Sequence, residues 1–312
     1  MREAWNVFLD APILGAGYQQ FAWQHFIQQA TSPNPIFFAY ENTFASYAHN
    51  LAFQVLAEFG IVGFAILVGL TIWLIIAFRQ NPSSEQWLIY AMLAVMLIHS
   101  MLEYPLHYLY FLAPFAILLT LASDTSIATV PSRPASITTL LILIVGTVLL
   151  AVMFISYRHL EQAYGGTSQR IVMNAATRDH LIQASKGGFF DAEIDHLLNI
   201  LPAGLGSQEE RRLQLQISDR SMRHRPTASR AYRHVFLLAI NGNSTEAERY
   251  LTMATRAYPG SLADFARQVD TMSAKRPEDQ ELQDLCSLID KERGKLTTTL
   301  PPNQVENGYA EN

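Results

Sequence analysis

The sequence predicts an all-α protein in which polytopic transmembrane helices are followed by a soluble, tetratricopeptide-like helical domain. Three observations carry that prediction. The 312 residues are 50% hydrophobic and only 16% charged, too apolar on average for a well-solvated globular surface. The composition breaks near Tyr157: Leu, Ile, Ala, Phe and Val dominate before it, and charges of both signs recur every few residues from Arg158 onward. The tail then shows helical periodicity with helix start and stop signals, and no alternating strand pattern.

Four segments follow from this reading: a loop segment over 1–57, about four transmembrane helices over 58–157, a helical domain over 158–295, and a disordered tail over 296–312. The chain opens Met1-Arg2-Glu3-Ala4-Trp5 with no basic stretch leading into a short apolar run, so no signal peptide is expected and the sequence reads as beginning mid-protein. The formal net charge of −5 gives no basic field for a phosphate backbone, which excludes nucleic acid as a partner. Cys286 is the single cysteine, so an internal disulfide and a cysteine zinc cage are both ruled out.

The first span is the uncharged run between Glu58 and Phe78, long enough with its flank to cross a hydrocarbon core of ~30 Å. From Trp87 to Ala122 the chain is again apolar, but Glu103, Pro105 and His107 interrupt it midway. A turn between two spans avoids burying them in lipid. Ile137 to Tyr157 reads as a fourth span. Arg79 and Arg133 then fall on the cytoplasmic side by the positive-inside tendency. The N-terminal segment, the Glu103 turn and the whole C-terminal domain share the outer face.

Two polar clusters lie on that outer face. The segment from Ala48 to Gly60, AHNLAFQVLAEFG, sets His49, Asn50, Gln54 and Glu58 at the mouth of a span. Alone, it reads as an interfacial histidine at a helix start. The segment from His99 to Tyr108, HSMLEYPLHY, brings ionisable groups to the same depth, where they mark function or an aromatic interfacial belt. Gly15-x-Gly17 is too short for a dinucleotide loop and reads as a tight turn. No HExxH, CxxC or nucleophile elbow is present in the sequence.

In the tail, ASRAYRHVFLLAI from Ala228 and TEAERYLTMATRAYP from Thr245 flank the turn Asn241-Gly242-Asn243. Thr245 with Glu248 predicts a capping box, Pro259-Gly260 a helix stop, and Ala231, Ala247 and Ala254 a close helix contact. Further helices are expected over Asp191 to Leu201, Gln208 to Arg220, Ser261 to Ser273 and Glu278 to Arg293, with Gly294 as the last stop. A plain helical hairpin is the alternative to a tetratricopeptide unit.

Together, RxxW at Arg2 to Trp5, PILGAGYQQFAW from Pro12, AHNLAFQVLAEFGIVG from Ala48 and HSMLEYPLHYLYFL from His99 resemble the O-antigen ligase superfamily, and within it the PglL-type protein O-oligosaccharyltransferases. The resemblance covers the membrane half closely and the tail loosely. It implies a multi-pass enzyme of the bacterial inner membrane with its C-terminal domain in the periplasm. That enzyme moves a glycan from undecaprenyl diphosphate to a Ser or Thr hydroxyl of an acceptor protein such as pilin, with no metal and no cofactor.

By the same resemblance His49 is the catalytic histidine, acting as general base or as an imidazolium on the diphosphate. Glu103 and Tyr104 line its pocket, and Arg2 with Asn50 binds the donor diphosphate. Full members carry many spans before the RxxW motif, so this stretch alone is expected to be inactive. Transfer to the lipid A core as an O-antigen ligase, or polymerisation of repeat units, would use the same histidine. A membrane-anchored helical scaffold is the non-enzymatic alternative.

Overall fold

In the computed structural model, described for residues 1–31, 45–78, 83–122, 132–163 and 207–299 with isolated positions between 177 and 195, every regular element is helical. α1 (Arg2–Asp10) and α2 (Phe21–Thr31) precede α3 (Leu51–Phe78) and α4 (Ser84–Ser100). A 3-10 turn at Pro105–His107 leads into α5 (Leu109–Leu121), and α6 (Ser132–Ala163) follows. The C-terminal group comprises α7 (Gln208–His224), α8 (Ala228–Ile240), α9 (Ser244–Ala257), α10 (Leu262–Lys275) and α11 (Gln280–Thr299).

Among the described residues two stretches are long and apolar enough to cross a membrane, α3 and the Leu143–Ala163 part of α6. α4 and α5 form an antiparallel hairpin of 17 and 13 residues, roughly 26 and 20 Å long. The Tyr90 hydroxyl donates to the Ala122 carbonyl at 2.9 Å and closes the hairpin's open end. There Phe78 meets the Trp87 ring at 4.5 Å, so the end of α3 and the start of α4 share an aromatic group remote from His49. The predicted turn between two apolar helices is thus present at Met101 to Tyr108. Arg79 lies outside the described residues.

α3 is broken. Gly60 adopts φ 62° and ψ −158° inside it, where an unbroken helix would pair Ile61 with the Ala57 carbonyl and Val62 with the Glu58 carbonyl. The turn from Pro12 to Gly17 supplies substitutes for both sides. Ala16 and Gly17 donate to the Ala57 and Glu58 carbonyls at 2.9 and 3.0 Å, while Ile61 and Val62 donate to the Pro12 and Ile13 carbonyls at 2.8 and 3.3 Å. Four backbone groups freed by the kink are thereby satisfied. The tight turn read in the sequence is therefore a splice that seals the bend.

The C-terminal helices enclose one core. Ala231, Ala247 and Ala254 are all buried at the α8–α9 contact, as their small size predicts. Leu237, Leu251, Leu262, Leu282, Leu285 and Ile289 fill the rest. α2 belongs to this core as well as to the N-terminal segment. Phe26 is fully buried in it and stacks on Tyr258, and Arg256 Nη1 donates to the Ala30 carbonyl at 3.3 Å.

Three tail expectations are corrected. Thr245 and Glu248 form no capping box: the cap of α9 is Asn243, two residues before Thr245, and the Glu248 carboxylate takes Lys291 Nζ at 2.6 Å. The capping boxes lie instead at Ser207 with Glu210 and at Ser83 with Gln86. Gly294 does not stop the last helix, since α11 runs on through Thr299 and into the stretch read as disordered from Leu296. One exposed glycine costs only about 1 kcal/mol against Ala, too little to end a helix held by Leu282, Leu285 and Ile289. Most of the helix expected over Asp191 to Leu201, and the tail beyond Thr299, lie outside the described residues.

Candidate active site

His49 stands one residue before the cap of α3 and takes a left-handed backbone conformation, φ 51°, uncommon for a side chain with a Cβ. Its neighbours hold it there. The Asn50 side-chain carbonyl accepts from Phe53 N at 3.1 Å, capping α3, while its amide donates to the Met101 carbonyl at 2.8 Å. Gln54 Oε1 accepts from Ala48 N at 2.8 Å. The backbone on both sides of His49 is thus fixed by side chains of the first turn of α3, and Asn50 also ties that turn to the end of α4.

The tie brings the two polar clusters together. His49 Nδ1 lies 3.2 Å from Glu103 Oε2 across 54 residues of chain, and the edge of its ring meets Tyr104 at a centroid distance of 5.1 Å. Both partners of the His49–Glu103 pair are more than half exposed, 58% and 54%, so the contact adds little stability in water but orients the ring. A carboxylate on Nδ1–H leaves Nε2 as the free lone pair.

Two groups given no role in the sequence reading complete the cleft. The Tyr47 ring packs at 4.7 Å from Tyr104 and 4.6 Å from His107. Burial lowers the His107 pKa against the opposing pull of the Tyr104 carbonyl, favouring a neutral imidazole. Burial, with Tyr18 and Glu58 nearby, raises that of the Tyr47 phenol. The cleft is lined by Tyr47, His49, Asn50, Leu51, Gln54, Ser100, Tyr104, Leu106 and His107. Nothing around Tyr47 in the sequence marks it, whereas His107 stands in the run that carries Glu103 and Tyr104.

Of the residues singled out in the sequence, His49, Glu103 and Tyr104 converge. Asn50 joins them with both ends of its amide engaged by backbone. His99 stands apart, its ring against Phe111 at 6.3 Å. Arg2 is exposed on α1, whose Ala4 and Val7 share a buried cluster with Phe21, Ala48 and Ala57 next to the site. Behind that cluster Glu58, 2% exposed, accepts from Phe21 N at 3.3 Å.

Two family models match this chain. Residues 87–272 match the family described as virulence factor membrane-bound polymerase, C-terminal, and residues 1–68 match the O-antigen ligase family. The chain belongs to the membrane-bound polymerase family. It is also similar to a general O-oligosaccharyltransferase of Acinetobacter baylyi, 28% identical over 188 residues, which is 58% of this chain and 31% of that protein. The chain thus spans about a third of the length of that relative. No solved structure matches it significantly. His49 lies in the O-antigen ligase match and Glu103 and Tyr104 lie in the polymerase match, so the candidate site draws on both.

Proposed function

We propose that this chain carries the acceptor-activating site of an oligosaccharyltransferase that moves a glycan from undecaprenyl diphosphate to a Ser or Thr hydroxyl of periplasmic or pilin proteins. The observation that supports it best is the His49–Glu103 pair at the mouth of an apolar helix, with Tyr104 at its edge. In this reading the pair and the C-terminal helices, read as tetratricopeptide-like, face the periplasm. The α4–α5 hairpin spans the inner membrane together with α3 and α6, and the C-terminal surface receives the acceptor.

The chemistry follows from the pair. Glu103 accepts Nδ1–H of His49, and Nε2 takes the proton of the acceptor hydroxyl as its oxygen attacks the anomeric carbon. The bond from that carbon to the phosphate oxygen breaks, and the electron pair leaves with the lipid diphosphate. Arg2, on the helix beside the site, offsets the charge that gathers on the leaving group. Asn50 acts by holding the His49 backbone. Tyr104 offers a ring face or a hydroxyl to the sugar.

The names of the matched families favour a second reading, ligation to the lipid A core or polymerisation of repeat units, by the same chemistry on a sugar hydroxyl. The test replaces His49 with Ala in the native membrane and measures the intact mass of periplasmic proteins and the lipopolysaccharide ladder. Loss of a glycan-sized mass supports protein transfer. A changed ladder with unchanged protein masses supports ligation or polymerisation. Unchanged masses and ladder overturn the catalytic role.

A further inference from the structure

The side of α2 that faces away from the C-terminal core carries a buried polar contact. His25 is 3% exposed, and its Nε2 lies 3.1 Å from Glu3 Oε2. Gln29, one helical turn later and 1% exposed, approaches the same ring nitrogen at 3.4 Å, and the Phe21 ring stacks on the imidazole at 6.1 Å. Glu3 is the neighbour of Arg2 on α1. The other side of α2 is locked into the C-terminal core through Phe26, Ala30 and Arg256.

We infer that His25 is a positioning residue for donor binding: through Glu3 it fixes the helix that carries Arg2, and through α2 it references that helix to the C-terminal domain. The inference rests on the reading of Arg2 as the diphosphate partner.

The physical argument has three steps. A helix of nine residues such as α1 is marginal by itself and takes its place from what it packs on. Its apolar face is small, Ala4 and Val7, so the apolar contact sets its distance from α3 better than its rotation. The Glu3–His25 contact adds direction, since a hydrogen bond from a buried imidazole to a carboxylate that is only 22% exposed tolerates little change in angle. The Glu3 carboxyl is held below its ordinary pKa chiefly by the hydrogen bond from His25, against the opposing effect of burial. The contact is therefore made to the ionised carboxylate. Rotation of α1 about its axis would break it and carry Arg2 with it. None of these groups touches the reacting atoms, and the expected effect falls on donor affinity.

The test uses the membrane-embedded protein with a synthetic polyprenyl-diphosphate glycan as donor and a hydroxyl-bearing acceptor peptide. His25→Ala is expected to raise the KM for donor about tenfold with kcat changed less than about twofold. His25→Gln, whose amide nitrogen can stand where Nε2 does, is expected to restore most of the loss. Arg2→Ala is expected to raise the same KM. The double variant Arg2→Ala, His25→Ala should be little worse than Arg2→Ala alone, because the two act through one contact.

An unchanged donor KM in His25→Ala, an equal fall of kcat, or full additivity with Arg2→Ala overturns the positioning role. His49→Ala in the same assay separates the two levels. If it abolishes turnover while the His25 variants behave like wild type, the functional reading stands and this inference fails. If it turns over normally, the functional reading itself fails.

Discussion

A Cβ on Gly60 would fall 2.7 Å from the backbone nitrogen of Gly15, and 2.4 Å from the Ile13 carbonyl oxygen. The relationship is mutual, since a Cβ on Gly15 would lie 2.3 Å from the Glu58 carbonyl carbon. Two backbones thus approach with no side chain between them, and both glycines carry positive φ, 74° and 62°. The splice that closes the α3 bend depends on both.

Gly60→Ala is accordingly expected to destabilise the N-terminal half. The positive φ alone costs about 1–3 kcal/mol in a residue with a Cβ, and the contact adds to it because its partner is backbone and cannot swing aside. Thermal unfolding in detergent measures this, with Gly69→Ala as the control. A Cβ at Gly69 meets nothing within 4 Å, and Ala should there be neutral or slightly stabilising.

Glu103→Gln separates orientation from stability. Because the His49–Glu103 pair is more than half exposed, its loss should leave the unfolding temperature within error. The amide removes the carboxylate that selects the Nδ1–H tautomer, so turnover should fall by roughly 10-fold to 100-fold. A fall in the unfolding temperature matching the fall in turnover would contradict that division.

His234 supplies a dependence on pH. Burial lowers its pKa from the ordinary 6.5 to about 4, partly offset by Asp219 and Glu246, while its Nδ1 sits 3.2 Å from Ser218 Oγ. The folded state therefore binds fewer protons at this site than the unfolded state does between those values. Its stability is fully present above about pH 6.5 and declines as the pH falls towards about 4. At pH 5 the loss is about 2 kcal/mol relative to pH 7. His234→Gln should flatten that part of the profile in melts followed by circular dichroism.

How much of this was legible in the residues differs between the two halves. The apolar helices and the turn at Glu103 follow from composition, since a carboxylate in the middle of an apolar run is costly to leave facing lipid. The convergence of His49 with Glu103 and Tyr104 was accessible only through the family resemblance. The tie that creates it, from Asn50 to the Met101 carbonyl, is side chain to backbone and leaves no pattern. The kink at Gly60 was hidden because a glycine within a helical run does not by itself mark a break, and only the paired turn at Gly15 gives it a cause. In the tail the helices from Gln208 onward were found but their ends were misjudged at Thr245 and Gly294, where packing outweighs local capping and propensity. The placement of α2 in the C-terminal core was invisible, because Phe26 and Tyr258 are far apart in sequence and carry no shared signature.

That placement sets an order of assembly. Arg256 and the Ala30 carbonyl it binds are separated by 226 residues, so the C-terminal core lacks one of its helices until α2 and the much later α9 meet. At ribosomal speed that interval lasts roughly 10–50 s. Until then the partners that bury Phe26, Tyr258 among them, are not yet made. The C-terminal core is then complete only when helices made later close on α2.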